Sequence, residues 1–501
     1  MKHKLIKYCL FAVAVAMLAA CEEFLSELPT KTTNQPLTTL AQLEGLLDGI
    51  SVMSTDGAQE SNATMAYSTD DSGLAPYAAP PNGYRTSAPN LYYYTFNTED
   101  IPNESSDPLW TGQFRIIYRA NLILENVDKI SGDPTLKARI KAEAHFLRAY
   151  CYWVLANYYC LPYAPANMEE QGLPKKVSTS AEEDYSHMTL GETYEFIDAN
   201  IEEALKVDVE EAKQPWRADR ATVNAFLSRY YMFRGEYEKA ISAADYAMDK
   251  KGTVKLRNYN DLIAGNPAYY TNPADTIKYC ETNDYTTAQF STWGEIFFLR
   301  FAYTGSQWMI PSEELLALYD QENDMRFRWC MHPKGNRRFS VTGVQIYRYS
   351  FFSDGRYAWS GPTIQEVMLN KAECLLRKSA PDIAGALALV NELRTHRIAP
   401  GAPGIVLTAT TKDEALVKVL EERRRELPFG FRWWDIRRFS VTETTFDKVS
   451  ITRQFYVVSK GIVNETQTQT YTLPVGSRRY AVPINAVDID ASQGMLKQNT
   501  Y

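Results

Sequence analysis

The sequence predicts a mostly α-helical protein, built as a scaffold of tetratricopeptide-like (TPR-like) helical hairpins that carries large loop-rich insertions. Three observations predict it. Apolar residues recur at alternating steps of four and three over long stretches. Small residues stand at the spacing where paired helices meet. Between the periodic stretches lie residues 51–109 and 252–362, rich in Gly, Pro, Asn, Thr and aromatics with little sustained periodicity. Irregular stretches that long within a compact protein are usually functional loops.

In chain order, Lys2, Lys4 and Lys7 precede an unbroken run of twelve apolar residues from Cys9 to Ala20. That run is short of the about 20 residues needed to span a membrane. A basic start and a short apolar core form an export signal, so residues 1–20 read as a signal peptide. Leu18-Ala19-Ala20-Cys21 resembles the bacterial lipoprotein signal, in which the cysteine is acylated and becomes the first residue. Acyl chains on Cys21 would anchor the protein, each buried CH₂ contributing about 0.8 kcal/mol. Ordinary cleavage, leaving a soluble protein, is the alternative. Glu22-Glu23 looks like the surface-export tag of some Gram-negative lipoproteins, against the alternative of two solvated glutamates.

The scaffold follows. Ile140, Ala144, Leu147, Cys151, Val154 and Tyr158 make one apolar face, with Lys137, Lys141, His145 and Arg148 on the opposite side. Asp133-Pro134 supplies a capping acid and a first-turn proline. Upstream, Phe114, Ile117, Asn121 and Leu124 share similar spacing, so the two stretches read as an αα-hairpin. Leu227, Ser228 and Tyr231 lead through Gly235-Glu236-Tyr237 into Ala240, Ala244 and Ala247. This is the large, small and aromatic spacing of a tetratricopeptide repeat. Gln365–Lys378 and Asp382–Arg397 predict a third pair, with Ala386, Val390 and Leu393 on one face, and Lys412–Leu427 a further helix.

Composition bounds the function. The chain has 501 residues, 45% hydrophobic and 23% charged, which excludes disordered, collagen-like and coiled-coil classes. A formal charge of -8, or -11 without residues 1–20, argues against nucleic acid, which needs a basic footprint. Besides Cys21 the mature chain has Cys151, Cys160, Cys280, Cys330 and Cys374, none in a CxxC, so neither a disulfide framework nor a zinc site is implied. Cys151 falls on an apolar face and reads as core. The 33 tyrosines outnumber the 21 Phe and 9 Trp together; tyrosine suits half-exposed surfaces.

Three blocks carry a family resemblance. They are Lys141–Tyr150 running on to Leu161-Pro162-Tyr163, then Glu422–Leu427 followed by Gly430, Arg432-Trp433 and Asp435–Arg438, and then Val482-Pro483-Ile484 through Leu496–Asn499. Together they resemble the SusD/RagB family of outer-membrane nutrient-binding lipoproteins, in the expected order along the mature chain. Asp324-Met325-Arg326 and Cys21–Pro29 also fit. One departure stands at Phe429-Gly430, where the family's acidic-Gly pair is replaced with one residue fewer, which puts a local ion pair in question. The resemblance implies a lipid-tethered outer-surface protein that pairs with a TonB-dependent, SusC-like barrel transporter and delivers oligosaccharides, or in some members peptides. It also implies that the TPR-like side faces the transporter and the loop-rich side holds ligand. Residues 21–250 and 251–501 are expected to pack as one unit. Read from the residues alone, the Glu422–Leu427 run is a helix end laced with i,i+3 and i,i+4 ion pairs, structural in role.

An enzyme would need catalytic groups. His145, His187, His332 and His396 are scattered, and no HExxH, GxSxG, P-loop or GxGxxG occurs. A glycosidase needs only two carboxylates; Asp70-Asp71 is the pair to test, with a loop or cap role as its plainer reading. Glycan binding needs aromatic faces and planar polar groups. The loops offer Tyr67, Tyr77, Tyr84, Tyr92-Tyr93-Tyr94, Tyr269-Tyr270, Tyr285, Trp293 and Trp308, whereas Trp153 and Tyr158 read as helix packing. The candidates singled out are Trp293 and Tyr84, then Tyr269 and Tyr270, with Arg85 and Asp71 for polar contacts. No cofactor or metal is expected. Surface glycan binding, a surface glycosidase and a protein-binding TPR scaffold are the functions in contention.

Overall fold

A computed structural model describes residues 36–49, 66–73, 88–101, 107–180, 182–264, 269–271, 278–280, 293–303, 309–332, 347–349, 351 and 357–501. The predicted helical scaffold is present. After α1 (Leu40–Asp48) and α2 (Ala88–Thr95), the first hairpin pairs α3 (Pro108–Asn126) with α4 (Pro134–Tyr159). Asp107 and Asp133 cap these helices, each side chain accepting backbone N–H groups of the first turn, with proline in the position whose N–H would be unpaired anyway. The predicted apolar face of α4 is buried throughout, from Ile140 to Tyr158.

The other side of α4 departs from expectation. Next come the antiparallel strands β1 (Gln171–Pro174) and β2 (His187–Thr189), and α5 (Leu190–Ala204) packs along α4. Thr189 and Glu192 open α5 as a capping box. Arg148, on the side opposite the apolar face, is therefore buried. Its Nε donates to Asn200 at 2.7 Å and its Nη1 to Asn121 at 2.9 Å, tying α4 to α5 and α3.

The second pair, α6 (Arg220–Phe233) and α7 (Tyr237–Asp249), meets through Ala240, Ala244 and Ala247, all buried. Gly235 takes a left-handed φ of +75° between them. The Gly235 N–H then reaches the Met232 carbonyl at 3.1 Å and the Glu236 N–H the Tyr231 carbonyl at 2.9 Å. This is a Schellman stop, and only glycine takes it without a Cβ penalty.

The loop-rich stretch that follows holds short elements: α8 (Tyr259–Ala264), α9 (Glu313–Ala317), α10 (Met325–Cys330), and the strand pairs β3 (Tyr269–Thr271) with β4 (Lys278–Cys280), β5 (Phe301–Tyr303) with β8 (Tyr357–Trp359), and β6 (Met331–His332) with β7 (Arg348–Tyr349). Then come α11 (Ile364–Arg377) and α12 (Ile383–Thr395), the third predicted pair, and α13 (Lys412–Glu426), the fourth predicted helix. The C-terminal part adds further elements to the predicted set, as α1, α2 and α5 do nearer the N-terminus. Helix α14 (Gly430–Phe439) is buried along its length. The hairpin of β9 (Ile451–Ser459) and β10 (Ile462–Leu473) packs on α2, and α15 (Ala486–Ala491) follows it.

Among the described residues the helix pairs share one continuous apolar core, with two smaller clusters beneath the loop-rich stretch. At its centre the Arg229 guanidinium sits 5.2–5.3 Å from the ring centroids of Trp153, Phe431 and Trp434. Its charge is met by Glu366, with two contacts of 2.6 Å. A buried cation persists because it is both paired and ring-stacked.

Candidate functional site

The last turn of α13 organises the loop-rich side. Glu422 is fully buried and meets Arg394 at 2.6 Å, Arg326 at 2.8 Å and Arg425 at 2.9 Å. Glu426 accepts from Arg326 and Arg397, and Arg397 reaches on to Glu295 at 2.8 Å. The i,i+3 pair expected within the run is present as Arg425–Glu422. Most partners, however, come from distant segments, so the helix end is a junction rather than a self-contained lattice.

Arg424 leaves this turn toward the N-terminal loops. Its Nε donates to Asp71 at 2.7 Å, and the other Asp71 oxygen accepts the Phe429 N–H at 2.7 Å. Asp70 takes a bidentate pair from Arg432, both bonds 2.8 Å. Phe429 holds an unfavourable φ of +62°, and the Asp71 bond fastens it there. The ion pair questioned at Phe429-Gly430 is thus supplied across the chain, by Asp70 and Asp71. Burial raises the pKa of Asp71, as does the negative charge of Asp70, while Arg424 opposes them. Burial also disfavours the Asp70 anion, but Arg432 and Arg424 outweigh it and hold the carboxyl down to about 2.

Asp71, expected to meet a ligand, is therefore corrected to a structural role. It is fully buried, with both oxygens occupied. The same geometry answers the glycosidase reading of Asp70-Asp71: a general acid needs a raised pKa and access to the glycosidic oxygen, whereas Asp71 is raised but fully buried with both oxygens occupied, and Asp70 is lowered and clamped by two arginines.

The charge network carries a pH prediction. Arg438 and Arg377 overcome burial to hold Glu373 well below the carboxylate range, and Arg326, Arg425 and Arg394 do the same for Glu422. A carboxylate depressed in the folded state adds stability above its unfolded pKa of about 4, and that stability is lost as pH falls through the folded value. Melting temperature should therefore hold down to about pH 4 and fall steeply toward pH 2. A flat profile across that interval in a thermal melt series would refute the role given to these pairs.

Trp293 is corrected too. It is 1% exposed, so it is not an open platform. Its Nε1 donates to Glu295 at 2.7 Å, the Arg257 guanidinium lies 4.4 Å from its ring, and Phe351 meets it edge-on at 4.9 Å. Glu295 joins it to Arg397 and so to the α13 junction. Tyr269 and Tyr270 lie in β3, in register with Cys280 and Tyr279 of β4. Tyr84, Arg85 and Cys21 lie outside the described residues, as do Tyr77, Tyr285 and Trp308. Tyr67 and Tyr92–Tyr94, read as loop aromatics, are buried, the latter three within α2. Trp153 and Tyr158 are core, as expected. Of the site candidates, the described residues bring Asp71 and Trp293 to one junction as supports, Asp71 through Arg424 and Trp293 through Glu295 and Arg397. The Glu-Arg-rich helix end is the sequence signal for this junction, with partners that lie far along the chain.

Among the described residues no group of three His, Cys, Asp or Glu could hold a metal ion, and no helix is long and apolar enough to cross a membrane.

Comparison with known proteins gives a consistent picture. Residues 23–232 match the family described as starch-binding, associating with outer membrane (SusD-like), and residues 299–501 match the SusD family. SusD-like protein P2 of Formosa agariphila is 24% identical over 377 residues, 67% of this chain and 72% of that protein. SusD-like protein P38 of the same organism is 23% identical over 412 residues, 68% and 74% of the two chains. Among solved structures, a SusD superfamily protein of Bacteroides thetaiotaomicron has a TM-score of 0.66 at 21% identity, covering 93% of this chain and all of that one. A laminarin-binding SusD-like protein has a TM-score of 0.57 at 17% identity, covering 92% and 99%. At these identities the structural likeness establishes the fold.

Proposed function

The chain belongs to the SusD/RagB family, and from that premise we propose that it is a cell-surface lipoprotein that captures oligosaccharides and passes them to a SusC-like TonB-dependent outer-membrane transporter. The observation that carries this reading is the pair of family matches, in order, across both parts of the chain, the first described as starch-binding and outer-membrane associating. Residues 1–20 act as the export signal and Cys21 as the lipid attachment point. Residues 21–250 and 251–501 work as one unit, a reading supported by Arg229–Glu366 and Asp71–Arg424, which pair side chains across that boundary.

The protein binds and does not cleave. The clamped state of Asp70-Asp71 supports this, because binding needs no titrating carboxylate pair. Ligand selection belongs to the loop-rich side, held in place by the α13 junction.

The purified protein should bind one or more members of an oligosaccharide panel saturably, with no release of reducing ends. New reducing ends would shift the reading to a glycosidase. Saturable binding of peptides alone would make it a peptide-capturing member. Tight binding to a barrel protein with neither ligand would leave a scaffold.

A further inference from the structure

A groove of about 530 Å³ runs between α3, the segment 174–185 and α15, on the helical scaffold. That volume falls within the range of about 300–1,000 Å³ typical of small-molecule sites. Its floor follows from helical geometry. Trp110, Phe114 and Tyr118 stand at i, i+4 and i+8 of α3 and so form one stripe. Trp110 is buried, with Phe114 tilted against it at 4.7 Å, while Tyr118 is 50% exposed at the open end. Aromatic area therefore extends from the core out to solvent along the groove.

The opposite wall holds Asp488. Its carboxylate accepts no hydrogen bond and makes no ion pair among the described residues, although burial and the nearby charge of Asp107 both raise its pKa. A partly exposed carboxylate with no donor among the described residues is open to O–H or N–H groups of a ligand, which would take the place of water. On the third wall, Lys176 is already committed. Its ammonium is 2.6 Å from Glu183 and 4.3 Å from the Tyr185 ring centroid, so the cation site over that ring is filled by the protein itself.

These features select among ligand classes. An anion would meet Asp488. A wholly apolar ligand would leave Asp488 dehydrated and still unpaired, a penalised arrangement. A further cation would sit close to the Lys176 ammonium. A sugar ring satisfies both walls: its C–H face covers the aromatic stripe, and its hydroxyls donate to the carboxylate.

We propose that this groove is a second carbohydrate subsite, separate from the loop-rich side, in which a neutral pyranose unit stacks on Tyr118 and Phe114 and donates hydrogen bonds to Asp488. The proposal rests on the glycan-binding reading and adds a site to it.

Calorimetric titration of the full-length protein with laminari-, malto- and xylo-hexaose tests it, alongside Tyr118→Ala and Asp488→Ala. Tyr118 is half exposed, so its truncation leaves folding intact. Wild-type protein should show a sugar-binding component that either variant weakens by about tenfold or more, the size of a lost ring contact together with its buried area. Sugar binding that neither variant changes, in stoichiometry or affinity, overturns the groove site and leaves the glycan reading standing. Failure of the wild-type protein to bind any of the three or any other member of the oligosaccharide panel overturns both. Titration with tetramethylammonium completes the test: binding that disappears in Tyr118→Ala would make the groove a cation site and overturn the sugar assignment.

Discussion

Glu422→Ala is expected to destabilise the protein by about 3–5 kcal/mol, the cost of stranding buried charges by removing their partner. Three arginines converge on this one carboxylate: Arg326, Arg394 and Arg425. Arg326 keeps Asp324 and Glu426, so part of its charge stays compensated. Arg394 keeps only main-chain carbonyls of Gly404 and Ile405 among its described partners, and it takes most of the loss. Glu422→Gln preserves shape while removing charge, and should fall between wild type and alanine. Urea denaturation followed by circular dichroism reads both. A midpoint for Glu422→Ala within error of wild type would show that the arginines find other compensation.

Trp293→Ala should cost a similar amount, about 3–5 kcal/mol, as a buried large-to-small substitution. The indole fills the cluster of Tyr259, Phe351 and Trp359, and its removal also frees a Glu295 oxygen that now accepts the Nε1 proton. Any loss of sugar binding in this variant would then follow from disorder of the loop-rich side. Trp293→Phe separates the two effects, because it keeps ring volume and discards only the hydrogen bond. Trp293→Phe should bind sugar like wild type with a small drop in stability. Sugar affinity lost in Trp293→Phe while the melting temperature is kept would return the indole to direct ligand contact.

The two corrected residues show what a sequence does and does not disclose. The helix pairs were legible because burial along a helix repeats every three to four residues, and Ile140–Tyr158 or Ala240–Ala247 display that repeat locally. Helix α5 is marked locally by its capping box, Thr189 and Glu192 three residues apart. Helix α14 has no polar stripe to reveal it: Arg432, Asp435, Arg437 and Arg438 are all buried, three of them satisfied by ion pairs and Arg437 by carbonyls at the end of α4. The Thr- and Gln-rich stretch of β10 is almost wholly solvent-facing, so no alternation of apolar residues marks it as a strand. Site residues failed for another reason. Asp71 and Trp293 were chosen by residue type and loop setting, and whether such a residue faces ligand or interior depends on partners that no local pattern announces.

The Asp71 clamp joins residues 353 and 358 positions apart, to Arg424 and to the Phe429 N–H. Loop closure over such a span grows only logarithmically more costly with length, yet contacts this non-local form slowly and late. A chain emerging from the ribosome N-terminus first has made more than four-fifths of its length before Phe429 exists to receive. The N-terminal loops must then wait with two acidic groups unpaired. Closure needs the C-terminal part in place, so a truncation a short way upstream of residue 424 would leave the early segments without their lock.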